Sequence, residues 1–247
     1  MKAVGRIEMA EVATRTLCID IGGTGVKGIV YDPTGAPLSE RIRVDTPRPA
    51  TPAAVLVTIE QIASKVGDFD RVGAGFPGVV VDDITLTAPN LDEGWGGFRL
   101  GDALMSRFGK PVRIANDADV QGLAVIQGRG VEMVLTLGTG LGSGLYVDGH
   151  LVENLELAHH PFGKHRGESY EDRVDDETRK EIGLKRWARR VLEVITQVQP
   201  IFNPRRIYLG GGNAKRLDRA KLPENVTVVD NVAGLMGCAK LFDQKRG

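Results

Sequence analysis

The chain has 247 residues, 42% hydrophobic and 26% charged, enough to bury one large core or two modest lobes. Lys+Arg and Asp+Glu both number 32, so net charge gives no overall pull toward nucleic acid or anionic lipid, and any electrostatic function must come from local asymmetry. Gly, Asp or Lys interrupts every hydrophobic run before the ~18 consecutive apolar residues of a membrane span.

Met1 to Arg15 carry mixed charge without the apolar run of a secretory signal and read as a short disordered lead. Thr16 to Asp20 is an apolar run closed by Gly22-Gly23, and Val26 to Tyr31 resumes a strand pattern, so the two form a hairpin; Ala36 to Val44 reads as a third antiparallel strand. Pro47, Pro49 and Pro52 then break the chain before a helix over Ala53 to Val66. Arg71 to Phe76 is a strand stopped by Pro77-Gly78, Leu100 to Phe108 a helix closed by Gly109, and Val112 to Ala115 a strand. The spacing predicts a helix over Asp117 to Gln127, capped by Asn116.

From Val131 the pattern begins again. Met133 to Leu137 and Leu145 to Val147 flank a Gly/Thr-rich turn, a second strand, turn, strand unit like the one at Asp20. A polar loop follows to about Gly167, then a long helix from Leu184 to Gln199, a strand at Arg206 to Leu209 and a turn at Gly210 to Gly212. A helix is predicted from near Asn213, a strand at Val226 to Val229 and a last helix from Val232 to Phe242. Alternating strands and helices with two similar units imply an α/β fold of two lobes, a mixed sheet in each and a cleft between them. The expected division is a lobe over residues 16–115, completed by the terminal helix in 232–247, and a larger lobe over 116–231. Cys18 and Cys238, far apart in apolar stretches, suit buried thiols in a reducing cytoplasm.

Three glycine-rich turns carry possible chemistry. In Asp20-Ile-Gly-Gly-Thr-Gly-Val-Lys27 the glycines let backbone amides approach a phosphate, Thr24 and Lys27 add donors, and Asp20 at a strand end can hold hydrated Mg²⁺. An ordinary hairpin turn is the plainer alternative. Gly138 to Gly144 is a second cradle between apolar strands, and Gly210-Gly-Gly-Asn213 a third, or merely a tight turn. Asp117, following Asn116 at a helix start, is either a cap-region acid or a general base facing the cleft. Glu156 and His159, three apart, share one face of a helical turn and can together grip vicinal hydroxyls; a surface pair is the alternative.

Seven ordered segments, Asp20 to Thr24, Gly75 to Gly78, Ala88 to Leu91, Asn116 to Ala118, Leu137 to Gly144, Glu156 to His159 and Leu209 to Gly212, resemble the motifs of the ROK group of sugar kinases and sugar-responsive repressors. The resemblance spans Thr16 to about Lys240. It implies an actin-like ATPase (ribonuclease H-like) fold and a kinase with Asp117 as catalytic base. By the same resemblance the sugar, glucose with its 6-hydroxyl as acceptor, would meet Gly75, Asn90, Asn116, Asp117, Glu156, His159 and a later Glu, for which spacing favours Glu171 over Glu168. The phosphoryl donor would meet Asp20, Gly22, Gly23, Thr24, Gly25, Lys27, Thr139, Gly140, Gly142 and Gly210 to Gly212, with Mg²⁺ at Asp20. A homodimer is the common family state.

The loop Phe162 to Glu171 lacks the cysteines with which many ROK members bind zinc, so no zinc site is expected. Nothing before the first strand suggests a DNA-reading helix-turn-helix, which counts against the repressor branch. Together with the Glu156-Leu-Ala-His-His160-Pro-Phe162 segment, these departures look most like the actinobacterial polyphosphate glucokinases, with polyphosphate or ATP as donor. An ATP-only glucokinase, an N-acylmannosamine or fructose kinase and a non-catalytic sugar sensor are the competing readings. Independently, Arg179 to Lys221 holds twelve Lys or Arg against three acidic residues, a local charge of +9. That suits a polyanion such as polyphosphate, though nucleic acid or a solvated face would also fit.

Overall fold

The computed structural model describes residues 14–163, 167–229 and 235–244. The chain opens with strands β1 (Thr16–Ile21), β2 (Gly25–Tyr31), β3 (Ile42–Asp45) and β4 (Arg71–Phe76). A small separate hairpin, β5 (Val80–Val81) with β6 (Ile84–Thr85), precedes β7 (Val112–Asn116). The first sheet has the order β3-β2-β1-β4-β7: β1 to β3 pair antiparallel, while β1, β4 and β7 run parallel. Continuous apolar runs suit these central strands; in β1 only Asp20 is less than fully buried.

The second sheet repeats the plan. It comprises β8 (Val131–Leu137), β9 (Leu141–Val147), β10 (His150–Val152), β11 (Arg206–Gly210) and β12 (Val226–Val228), in the order β10-β9-β8-β11-β12, with the same alternation of antiparallel and parallel pairs. The two strand, glycine turn, strand units of the sequence are therefore equivalent hairpins of twin sheets. This is the two-sheet α/β architecture expected for the actin-like ATPase fold.

Helix α1 (Pro52–Val66) starts at Thr51, whose hydroxyl caps Ala54 N–H, and turns Val55, Ile59 and Ile62 onto the first sheet. Helix α2 (Leu100–Phe108) ends at Gly109 with φ of 61°. Helix α3 (Asp117–Leu123) lies between the sheets, where Gly122 lets it approach β9: a methyl group there would overlap the Tyr146 hydroxyl, which donates to Asp119 O at 2.6 Å. Helices α4 (Tyr170–Val174), α5 (Asp176–Ile182) and α6 (Leu184–Phe202) cover the second sheet, with Trp187, Val191, Val194, Ile195 and Val198 forming the buried stripe of α6. A last short helix, α7 (Gly237–Lys240), packs on β1, β4 and α3.

Several predicted boundaries move. The strand expected over Ala36 to Val44 begins only at Ile42, since Leu38 instead donates to Val30 O in a turn and a single bridge joins Tyr31 to Pro37. Helix α3 stops at Leu123 rather than Gln127 because the buried Glu132 carboxylate takes the N–H groups of Gln127, Gly128 and Arg129 at 2.9, 2.6 and 3.1 Å, pulling the chain into a turn. The polar region before Gly167 contains β10, and the helix expected from Asn213 is reduced to separate 3-10 turns, Ala214–Arg216 and Arg219–Lys221. Asp218 accepts from Ala220 N–H and starts the second turn afresh. Of the last predicted helix, residues 232–234 lie outside the described residues, as do residues 1–13 of the lead. Arg15, within that lead, is fixed: its N and Nε donate to Asp70 Oδ2 at 2.7 and 3.1 Å. Both cysteines are buried and unbridged.

Candidate active site

The site grows from the register of the first sheet. Lys27, Asp20, Gly75 and Ala115 stand side by side on β2, β1, β4 and β7, so the carboxyl ends of the parallel strands converge just before Asn116 and Asp117. Lys27 Nζ reaches Asp20 Oδ2 at 2.6 Å. Asn116 serves two segments: its Oδ1 accepts from Ala118 N–H at 2.8 Å, starting α3, and its Nδ2 donates to Gly78 O at 3.1 Å. Asp117 is thereby both the first residue of a helix and a lining residue of the cleft.

The cleft encloses about 630 Å³. One wall carries Asp20, Gly22, Gly23, Thr24 and Lys27; the facing wall carries Thr139, Gly140, Gly142, Gly211 and Gly212; Asn90, Asn116, Asp117, Glu156, His159 and Glu171 complete it. Three expected residues fall outside this lining. Gly25 sits in β2 against the Arg43 guanidinium, and Gly210 is the last residue of β11. Gly75 lines a smaller cavity of about 160 Å³, shared with Asp20, Lys27 and Asp117, and backs Asp117 instead of facing the main cleft. Sequence reasoning missed Arg48, whose Nη2 donates to Gly23 O at 2.9 Å, and Gln121. Gln121 had a signal, lying four residues after Asp117 on the same helix face; Arg48 had none.

Burial pushes the Asp117 carboxyl up to about 7, reinforced by the negative charges of Asp20 and Glu156 and opposed by the Ala118 N–H. The helix start favours a carboxylate, yet here desolvation wins. Further along the cleft Glu156 precedes a 3-10 turn, Leu157–His159, which puts His159 Nε2 3.5 Å from Glu156 Oε2. His159 Nδ1 lies 3.8 Å from Glu171 Oε2, so the imidazole stands between two carboxyl groups. Burial also raises the Glu171 pKa, with the neighbouring His159 acting against it. Glu168 is turned away, engaged by Arg173 at 2.9 Å. Gly140 permits this arrangement, because a side chain there would overlap Glu171 Oε1.

In the loop Phe162 to Glu171, residues 164–166 lie outside the described residues. What holds its ends is apolar and ionic: Phe162 meets Tyr170 edge-on at 5.0 Å, Phe162 N–H donates to Glu168 O, and Arg173 covers the Phe162 ring while pairing with Glu168 and Glu193. Behind the Thr139 turn, Asp176 N–H donates to Thr139 O, and Asp176 gathers Arg179, Lys180 and Asn213 at 2.7, 2.6 and 2.9 Å. The basic stretch of the sequence thus begins against the glycine-rich rim.

Gly211 shapes that rim. Its φ is 86°, and an added methyl group would overlap Leu137 O, whereas Gly212 has open space around it. Gly211→Ala should therefore destabilise the protein by about 2–4 kcal/mol, combining left-handed strain with overpacking. Gly212→Ala should leave the denaturation midpoint nearly unchanged; equal behaviour of the two variants in urea melts would contradict the geometry.

Twin sheets with matched hairpins around a carboxylate-floored, glycine-rimmed cleft define the class: a two-lobed α/β protein of the actin-like ATPase fold. The chain belongs to the ROK family, whose pattern matches residues 16–160. It is 34% identical over 237 residues to the polyphosphate glucokinase of Mycobacterium tuberculosis, covering 90% of this chain and 88% of that protein. A glucokinase of Streptomyces coelicolor is 34% identical over 146 residues, covering 55% of this chain and 44% of the relative. Among solved structures, the inorganic polyphosphate/ATP-glucomannokinase of Arthrobacter sp. strain KM superposes with a TM-score of 0.81 at 31% identity, covering 94% of this chain and 100% of that one. A ROK family glucokinase of Streptomyces griseus, solved with glucose and AMPPNP, shares the fold with a TM-score of 0.76 at 22% identity over 92% of this chain and 98% of that one. Among the described residues no helix is long and apolar enough to cross a membrane.

Proposed function

We propose that this chain is a polyphosphate-dependent glucokinase, also able to use ATP, that moves a terminal phosphoryl group to the 6-hydroxyl of glucose. The observation that carries the reading is the desolvated Asp117 carboxyl on the floor of a cleft rimmed by two glycine turns. The relatives named above support the donor and sugar. Asn90, Asn116, Glu156, His159 and Glu171 hold the sugar hydroxyls and orient the acceptor toward Asp117. The sugar oxygen attacks the terminal phosphorus, the bridging P–O bond breaks, and the hydroxyl proton passes to the Asp117 carboxylate. Backbone amides of Gly23, Gly140 and Gly212, with Thr24, Lys27 and Thr139, hold the donor in line, so positioning and charge neutralisation supply most of the rate.

Asp20 fits a hydrated Mg²⁺, since Lys27 occupies only its Oδ2 and a kinase metal takes its other ligands from donor phosphates and water. Mg²⁺ bound there would neutralise phosphate charge. The lobes 16–115, joined by the terminal helix, and 116–231 would close over the sugar and exclude water. Initial rates with glucose, measured separately against polyphosphate and ATP, test this reading; no phosphorylation with either donor would leave a sugar sensor.

The donor preference has its own test. Lys185, Arg186 and Arg189 are exposed on α6, which follows the Asp176 cluster at the Thr139 rim. A long polyanion reaching this face gains charge contacts that salt screens, while three phosphates reach few of them. Lys185→Ala with Arg186→Ala, or Arg189→Ala with Arg190→Ala, should raise KM for polyphosphate much more than KM for ATP, and added salt should do the same. Equal responses of both donors would make this face merely solvated.

A further inference from the structure

Among the described residues, Asp119 is a buried acid beside the site that the reaction above does not use. It lies two residues after Asp117 on α3, only 1% exposed, and its Oδ2 accepts from Asn154 N–H at 3.2 Å. Its Oδ1 has no hydrogen-bond partner among the described residues. Asn154 stands at φ of 60°, two residues before Glu156, in the segment that leads to His159. Its side chain pairs with Val80 as a strand would, Nδ2 donating to Val80 O at 2.8 Å and Oδ1 accepting from Val80 N–H at 3.1 Å. Three segments of the cleft are laced here: the hairpin after Gly78, the helix that starts at Asp117, and the loop that presents Glu156 and His159.

We propose that Asp119 is a positioning residue for sugar binding: its buried carboxyl anchors the Asn154 amide, and so the loop bearing Glu156 and His159, to the helix that carries Asp117. The inference rests on the functional reading above. Leu157 and Ala158 seat the far end of this loop in the second core and Ser143 Oγ donates to Leu155 O, while the near end, where Asn154 stands in left-handed backbone, is tied to α3 through Asp119, which fixes the two polar side chains relative to the base. Burial pushes the Asp119 carboxyl up to about 8, opposed by the Asn154 N–H and reinforced by the charges of Glu156, Glu153 and Asp117. The raised pKa favours the neutral form, and an amide of the same shape keeps the oxygen that accepts from Asn154 N–H.

The test uses the full chain and reads glucose affinity by calorimetry without donor, then KM for glucose and for each donor. Asp119→Ala leaves the Asn154 amide unpaired and should weaken glucose binding about tenfold, with donor KM changed by no more than about twofold. Asp119→Asn should bind glucose as the wild type does. Asp119→Leu keeps the buried volume and removes the acceptor; it too should weaken glucose binding, and it decides the matter if Asp119→Ala fails to fold. Wild-type glucose affinity in Asp119→Ala or Asp119→Leu, whatever their melting temperatures, overturns the inference, as does Asp119→Asn being as impaired as Asp119→Ala. Wild-type protein that binds no hexose overturns the functional reading as well.

Discussion

Asp117→Asn is expected to lower kcat by about 10²–10⁴-fold, the usual contribution of a positioned general base. An amide cannot take the proton of the attacking hydroxyl, but it can still hydrogen-bond to it, so KM for glucose should change little. Stability should not fall. Because the folded protein raises the Asp117 pKa to about 7, the ionised form is disfavoured by folding, and at pH 8 the carboxylate costs stability that a neutral Asn does not. Asn116 keeps capping α3 and holding Gly78 in the variant, so the local backbone has no reason to move. Initial rates and a thermal melt at pH 8 read both expectations. Turnover near the wild-type value would remove Asp117 from the role of base, and a large fall in melting temperature would assign it a structural one.

Much of the cleft was legible because its parts are local in sequence. Strand, glycine turn and strand follow one another at Asp20 and at Leu137, and each unit folds into its own hairpin. Asn116 and Asp117 were legible for the same reason, since cap and helix start are adjacent residues. What depended on distant chain was not. The difference between Glu171 and Glu168 is made by Arg173, which Glu193 on α6 helps to fix, so spacing alone could only favour one of them. Arg48 reaches Gly23 across a gap of 25 residues without any motif around it. Helix α5 buries no residue and so lacks the apolar period that reveals a helix, although Asp175 caps it. The end of α3 differs from the sequence reading because Glu132, three to five residues after the N–H groups it gathers, is buried by a fold the local sequence does not contain.

The pH dependence of kcat/KM for glucose should show an acidic limb near pH 7, falling about tenfold per unit below it, because protonated Asp117 cannot act as base. An unperturbed aspartate would place that limb near pH ~4. Burial is the largest cause of the displacement, and the Asp20 charge the next. Asp20→Asn removes that negative charge and frees the Lys27 ammonium, which otherwise neutralises it at 2.6 Å. Both changes favour ionised Asp117, so the limb should move to lower pH while staying above the ordinary carboxylate range, since burial remains. Glu156→Gln should move it the same way by less, Glu156 being the weaker of the two charges acting on Asp117. Absolute rates will fall in both variants, because each residue also meets substrate, and the position of the limb is therefore the informative quantity. A wild-type limb near pH 4 would mean that Asp117 is not desolvated in the working enzyme. An unmoved limb in Asp20→Asn would mean that the two carboxyl groups do not share one field across the floor of the cleft.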